Sequence, residues 1–201
     1  VKIALDAGHG QDNLRFGQYD PGCQDDGYDE ADLNLRVALT LKFILTEEGY
    51  ACYLTRTDKF DSAPLTQRVG KAVAAGCTRY LSIHMNCADG LARGTECYYR
   101  SLEDKGWAAR VQSAALDGFG LKNRGLKPES DSQHKRLLVF DFPGPCALLE
   151  TGFMDNSKDR GKILLRENRI EFADQLAAEL AKILAEDILV GDSARDRVEE
   201  S

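Results

Sequence analysis

Two of the three histidines of this chain stand in matching places. His9 sits in Asp6-Ala7-Gly8-His9-Gly10, just beyond the apolar run Val1-Lys2-Ile3-Ala4-Leu5, and His84 closes a second such run, Leu81-Ser82-Ile83-His84. Imidazole suits a borderline metal such as zinc, and a hydrolytic zinc site needs three protein ligands and one open position. Taken singly, either ring reads equally well as a hydrogen-bonded structural histidine; their equivalent positions point to a joint metal site. Glu30 can supply a carboxylate as third ligand, the alternative being that it only complements a helix dipole. Glu150 directly follows the apolar run Cys146-Ala147-Leu148-Leu149, and a carboxylate ending a buried strand is costly to desolvate without a partner. Its natural work is as general base toward an attacking water and then proton donor to a leaving amine; a buried salt bridge is the other reading. Together these four residues suit metal-assisted amide hydrolysis.

The elements that must position them are legible as apolar periodicities. Residues 1–5 read as a strand, followed by a polar loop over residues 11–29 that is long enough to be functional. From residue 29 the pattern turns helical, with Leu33, Val37, Leu41 and Leu45 on one stripe and Gly49 as its stop. Residues 50–55, 79–84, 95–99, 137–140 and 146–149 read as further strands. Residues 65–75, 102–119 and 159–188 read as further helices. Alternation of this kind predicts a single α/β domain with a mostly parallel twisted sheet of about six strands and helices on both faces. Chemistry in such folds gathers at the carboxyl ends of the strands, where His9, His84, the first turn holding Glu30, and Glu150 all fall. Residues 1–188 are expected to form the catalytic domain, and 189–201, with little apolar content, a disordered tail.

Composition narrows the partners. With 26 Lys and Arg against 33 Asp and Glu, the 201 residues carry a formal charge of −7 and no basic cluster suited to a phosphate backbone, which excludes nucleic acid. No apolar run approaches the roughly 20 residues that cross a bilayer, so no membrane partner is expected, and a monomer is. A chain beginning at Val rather than Met says little about export. The six cysteines lack a CxxC pair; buried free thiols are expected, with one or more disulfides as the alternative.

The same residues carry a family resemblance. VKIALDAGHG, Asp20-Pro21-Gly22, Glu30-Ala31-Asp32-Leu33-Asn34-Leu35, Leu54-Thr55-Arg56-Thr57-Asp58, Leu65-Thr66-Gln67-Arg68, Leu81-Ser82-Ile83-His84-Met85-Asn86, Asn123-Arg124-Gly125 and Leu149-Glu150-Thr151-Gly152-Phe153 follow one another as in the zinc-dependent N-acetylmuramoyl-L-alanine amidases. That family includes bacterial cell-wall remodelling enzymes, or autolysins, and phage endolysins. The resemblance implies one zinc per chain on His9, Glu30 and His84, with Glu150 as the catalytic carboxylate. The implied reaction is hydrolysis of the amide between the lactyl group of N-acetylmuramic acid and L-alanine in peptidoglycan. A zinc peptidase acting on the peptide stem is the alternative. Either an exported enzyme or a lysin made in the cytoplasm would fit.

Departures from the family pattern are local. Residues 11–19 form an extra loop between two ligands, in which Phe16 and Tyr19 offer flat apolar surface to substrate. Arg124, whose fork suits a carboxylate of the peptide stem, and Asn86 are further substrate candidates. His134 is expected in a surface loop, and no inserted helix is expected to block the site.

Overall fold

The computed structural model describes residues 1–199, and their side chains through residue 186. Six strands make the central sheet: β1 (Lys2–Ala7), β6 (Ala51–Leu54), β7 (Arg79–Asn86), β8 (Thr95–Tyr99), β9 (Asn123–Pro128) and β10 (Cys146–Phe153), in the order β6-β1-β7-β10-β8-β9. Pairing is parallel from β6 through β10; β8 runs antiparallel to β10, and β9 runs parallel to β8. The central strands are nearly continuous apolar runs because both faces are covered. The expected α/β architecture is therefore present, with one reversed strand pair.

One face is covered by α1 (Glu30–Glu47), α3 (Leu102–Phe119) and α5 (Arg166–Glu199), whose Leu33, Leu41, Val111, Phe119, Phe172 and Leu176 pack with Ile3, Leu5 and Leu81 of the sheet. The other face is covered more thinly, by α2 (Leu65–Ala74) and a 3-10 turn over Leu138–Asp141. Ser101 and Asp104 form a reciprocal capping box that fixes the start of α3. Near its end Gly118 is obligatory, since a Cβ there would lie 2.4 Å from the Phe172 backbone of α5.

Several expectations need correction. The apolar run 137–140 is a 3-10 turn rather than a strand; it buries Val139 and Phe140 against the sheet face without pairing, a difference that apolarity alone does not reveal. Strand β9 was not expected, because Asn123, Gly125 and Pro128 read as turn chemistry, which an edge strand tolerates. Residues 159–188 are not one helix: α4 (Ser157–Leu164), capped by the Asn156 side chain, precedes α5. Of the tail expected over 189–201, residues 200 and 201 lie outside the described residues, and α5 carries the chain to Glu199. The polar loop 11–29 holds two short hairpins, β2 (Gly10–Gln11) with β3 (Tyr19–Asp20) and β4 (Gln24–Asp25) with β5 (Tyr28–Asp29). Cys23 and Cys87 form a disulfide, whereas Cys52, Cys77, Cys97 and Cys146 are free thiols.

Candidate active site

The chain makes a tight passage from β1 into the first hairpin. His9 has φ 61°, and a Cβ at its neighbour Gly8 would lie 2.3 Å from the His84 ring, so only glycine lets the two imidazoles meet. Their ring centroids are 4.9 Å apart. Glu30, in the first turn of α1, reaches between them: its Oε1 lies 3.1 Å from His9 Nε2 and 3.1 Å from His84 Nδ1. Gly22 makes room for this carboxylate, since a Cβ there would lie 2.5 Å from Glu30 Oε2.

These groups fit zinc. Two imidazole nitrogens and one carboxylate oxygen lie within 4.8 Å of one another. Bonds of about 2.0–2.1 Å in a tetrahedral site put neighbouring donor atoms about 3.3 Å apart, close to the two observed separations. The ring orientation is also set from behind: Asp20 Oδ2 accepts from His9 Nδ1 at 2.9 Å, leaving Nε2 for the metal side.

Two buried arginines anchor this loop. Arg56 donates to the backbone oxygens of Ala7, Gly8 and Ala31, tying β1 to α1. Arg68 pairs with Asp6 at 2.7 Å and also donates to the His9 carbonyl and the Asn13 side chain. Asn13 in turn donates to Asp20 at 2.6 Å, so a continuous relay runs from Asp6 to the His9 ring. Glu30 is held by backbone N–H donors of Cys23 and Met85 at 2.9 and 3.0 Å. The disulfide joins Cys23 to Cys87, two residues after that second donor.

Electrostatics follow from this packing. Burial opposes a charged His9 ring, yet its hydrogen bonds to Asp20 and Glu30 outweigh burial and push its pKa up to about 10. Burial also disfavours ionised Glu30, but both histidines hold its carboxyl far below the usual range. A proton on His9 is thus favoured by the two carboxylates beside it, and a divalent cation held there would take its place. Glu150 behaves oppositely: burial, and then repulsion from Glu30 and Glu96, raise its pKa well above 4.5.

Glu150 lies within β10 rather than beyond its end, in register with His84 on β7 and Glu96 on β8. Its Oε2 is buried without a hydrogen-bond partner. It lines a cavity of about 340 Å³ together with His9, Glu30 and His84. A second lobe of about 360 Å³ shares His9, His84, His134, Leu137 and Leu148 with the first and is walled by Leu14, Leu65, Leu138 and Val139. The bordering segments 12–18, 87–94 and 129–137 contain no α-helix, in keeping with an unblocked site.

The structure thus brings His9, Glu30, His84 and Glu150 together. Asn86 lines the first lobe and donates to Glu96. Arg124 is engaged with Glu96, Nε to Oε2 at 2.5 Å. Phe16 is 94% exposed and borders neither lobe. Tyr19 also lies outside both lobes, its hydroxyl donating to Asp32 beneath the Lys59 ammonium. Leu14, not these aromatics, brings the extra loop to the site, and His134 borders both lobes. Sequence reasoning missed Asp20 and Arg68 as supports of His9, although Asp20-Pro21-Gly22 and Leu65-Thr66-Gln67-Arg68 both carry the family resemblance.

Comparison with known proteins agrees with the geometry. Residues 3–182 match the family model described as N-acetylmuramoyl-L-alanine amidase. The chain is 32% identical to YqiI of Bacillus subtilis over 178 residues, 87% of this chain and 80% of that protein. It is 30% identical over 167 residues to the N-acetylmuramoyl-L-alanine amidase LytC of the same organism, covering 80% of this chain but 31% of LytC. Among solved structures, the catalytic domain of CwlV from Bacillus (Paenibacillus) polymyxa superposes with a TM-score of 0.76 at 27% identity, covering 92% of this chain and 98% of that one. AmiC2 of Nostoc punctiforme gives 0.77 at 27% identity, with 92% and 97% covered.

Proposed function

The chain belongs to the N-acetylmuramoyl-L-alanine amidase family and hydrolyses the muramoyl–L-alanine amide of peptidoglycan with metal assistance; we propose that His9, Glu30 and His84 hold one zinc and that Glu150 moves the protons. The observation that carries this reading is the cluster of two imidazoles and a carboxylate in one cavity with Glu150, whose Oε2 is buried and unpaired. Zinc bound there would supply Lewis acidity, polarising the amide carbonyl and lowering the pKa of a water toward about 7.

The chain's own groups do the rest. Asp20 keeps the proton of His9 on Nδ1 and so presents Nε2 as a lone pair. Glu150 would, in its ionised form, accept a proton from the attacking water and return it to the L-alanine nitrogen as the amide breaks; a cation held by His9, Glu30 and His84 would favour that form by offsetting the repulsion from Glu30. Its Oε2 has no competing partner to release first. The catalytic unit is residues 1–188, a reading supported by the family match over 3–182.

Metal analysis tests the ligand set. The purified chain should hold close to one zinc, and His9→Ala and His84→Ala should each lose zinc and activity together. Full activity after exhaustive chelation would overturn the reading.

A further inference from the structure

We propose that the two lobes of the cavity give the substrate a fixed direction: the apolar lobe walled by Leu14, Leu65, Leu138 and Val139 takes the muramoyl half, and the peptide stem lies along the polar lobe toward β8 and β9. This rests on the amidase reading and deepens it. Glu150 borders the polar lobe and not the apolar one, while His9 and His84 border both. The group that protonates the leaving nitrogen must lie on the nitrogen's side of the scissile bond. The stem attached to that nitrogen therefore extends into the Glu150 lobe, and the acyl side, with its lactyl ether and sugar, falls in the other.

Cations stand near both lobes: Arg68 and Arg136 border the apolar one, paired with Asp6 and Asp141, and Arg124 and Lys127 stand outside the lining of the polar one. Beyond Asn86, the buried Glu96 holds both Arg124 and Lys127, the latter at 2.6 Å, so two cations share one carboxylate. Their side chains are 30% and 29% exposed and already paired with Glu96, so a stem carboxylate reaching beyond the lobe would share these cations with it. The muramoyl half has no free carboxylate while its lactyl group is amide-bonded; it offers lactyl and N-acetyl methyl groups, which aliphatic walls desolvate favourably. Leu14 lies on the extra loop and is 72% exposed, an apolar side chain facing solvent where this lobe opens. The extra loop thus serves the sugar end through Leu14.

The test uses the zinc-loaded chain, its Leu14→Asp and Lys127→Gln variants, and three soluble substrates. These are a muramoyl peptide, the same peptide carrying a lactoyl group without the sugar, and the muramoyl peptide with its stem carboxylates amidated. In the wild type, loss of the sugar should raise KM. Leu14→Asp should raise KM about tenfold on the muramoyl peptide, with kcat little changed, and should raise it much less on the sugarless one, which keeps only the lactyl methyl. Lys127→Gln should raise KM on the free-carboxylate stem and not on the amidated stem. Zinc content should match the wild type in both variants; the melting temperature should match it in Leu14→Asp and fall in Lys127→Gln, which removes one cation from the buried Glu96 while leaving Arg124 on it. Equal wild-type KM with and without the sugar, or a Leu14→Asp effect that follows the stem instead, would overturn the assignment. Failure of the wild type to cut any of the three at the lactyl–alanine bond would instead remove the amidase reading itself.

Discussion

His9, the residue before β2, and Asp20, on its hairpin partner β3, stand 2.9 Å apart, Nδ1 to Oδ2. That contact fixes the tautomer of a metal ligand from outside the metal's own shell, and Asn13 and Arg68 fix the Asp20 carboxylate in turn. The hairpin is thus part of the metal centre and more than a connection.

Asp20→Asn should therefore leave the fold intact and weaken zinc binding about 10–100-fold, the usual worth of such a contact. Competition with a fluorescent chelator measures it. An unchanged zinc affinity would show that the ring is held well enough by Glu30 and the backbone alone.

Glu150→Gln separates chemistry from binding. Zinc content should stay at the wild-type level while kcat falls about 10²–10⁴-fold, as expected for loss of a general acid–base group. Disappearance of zinc along with the carboxylate would make Glu150 a ligand and contradict its assigned role.

The buried pair Asp6–Arg68 makes part of the stability depend on pH. Burial works against ionised Asp6, but Arg68, Ser82 and Thr55 outweigh it and lower its pKa from 3.8 to about 2. Because the folded-state pKa is the lower one, the unfolded chain takes up the proton first as pH falls. This contribution, about 2 kcal/mol, is complete above pH 3.8, shrinks below it, and is exhausted as pH passes through about 2. Urea denaturation from pH 7 to 2 should show that loss in the wild type and not in Asp6→Asn. Parallel pH profiles for the two would contradict it.

How much of this was legible before the structure depends on the kind of information each feature needs. His9, Glu30 and His84 were readable because residue chemistry and position relative to strand and helix ends suffice to place them on one edge of a parallel sheet. Glu150 was readable as a working carboxylate, but not as a mid-strand residue, since apolar content ended one position before it while backbone pairing continued to Phe153. The Cys23–Cys87 bond, between residues 64 apart in sequence, depends on a distance that spacing does not encode. Likewise the Asp20 contact depends on hairpin pairing within a loop that has no periodicity. The Leu137 to Phe140 run failed for a different reason: burial against a sheet face and pairing within a sheet leave the same apolar trace.

The bond that is cut tests the account most directly, because a zinc site of this kind would serve any amide. Purified peptidoglycan digested with the zinc-loaded chain should yield, by mass spectrometry, stem peptides with a new free L-alanine amino terminus and intact glycan strands without added reducing ends. New amino termini inside the stem, with L-alanine still joined to muramic acid, would contradict it.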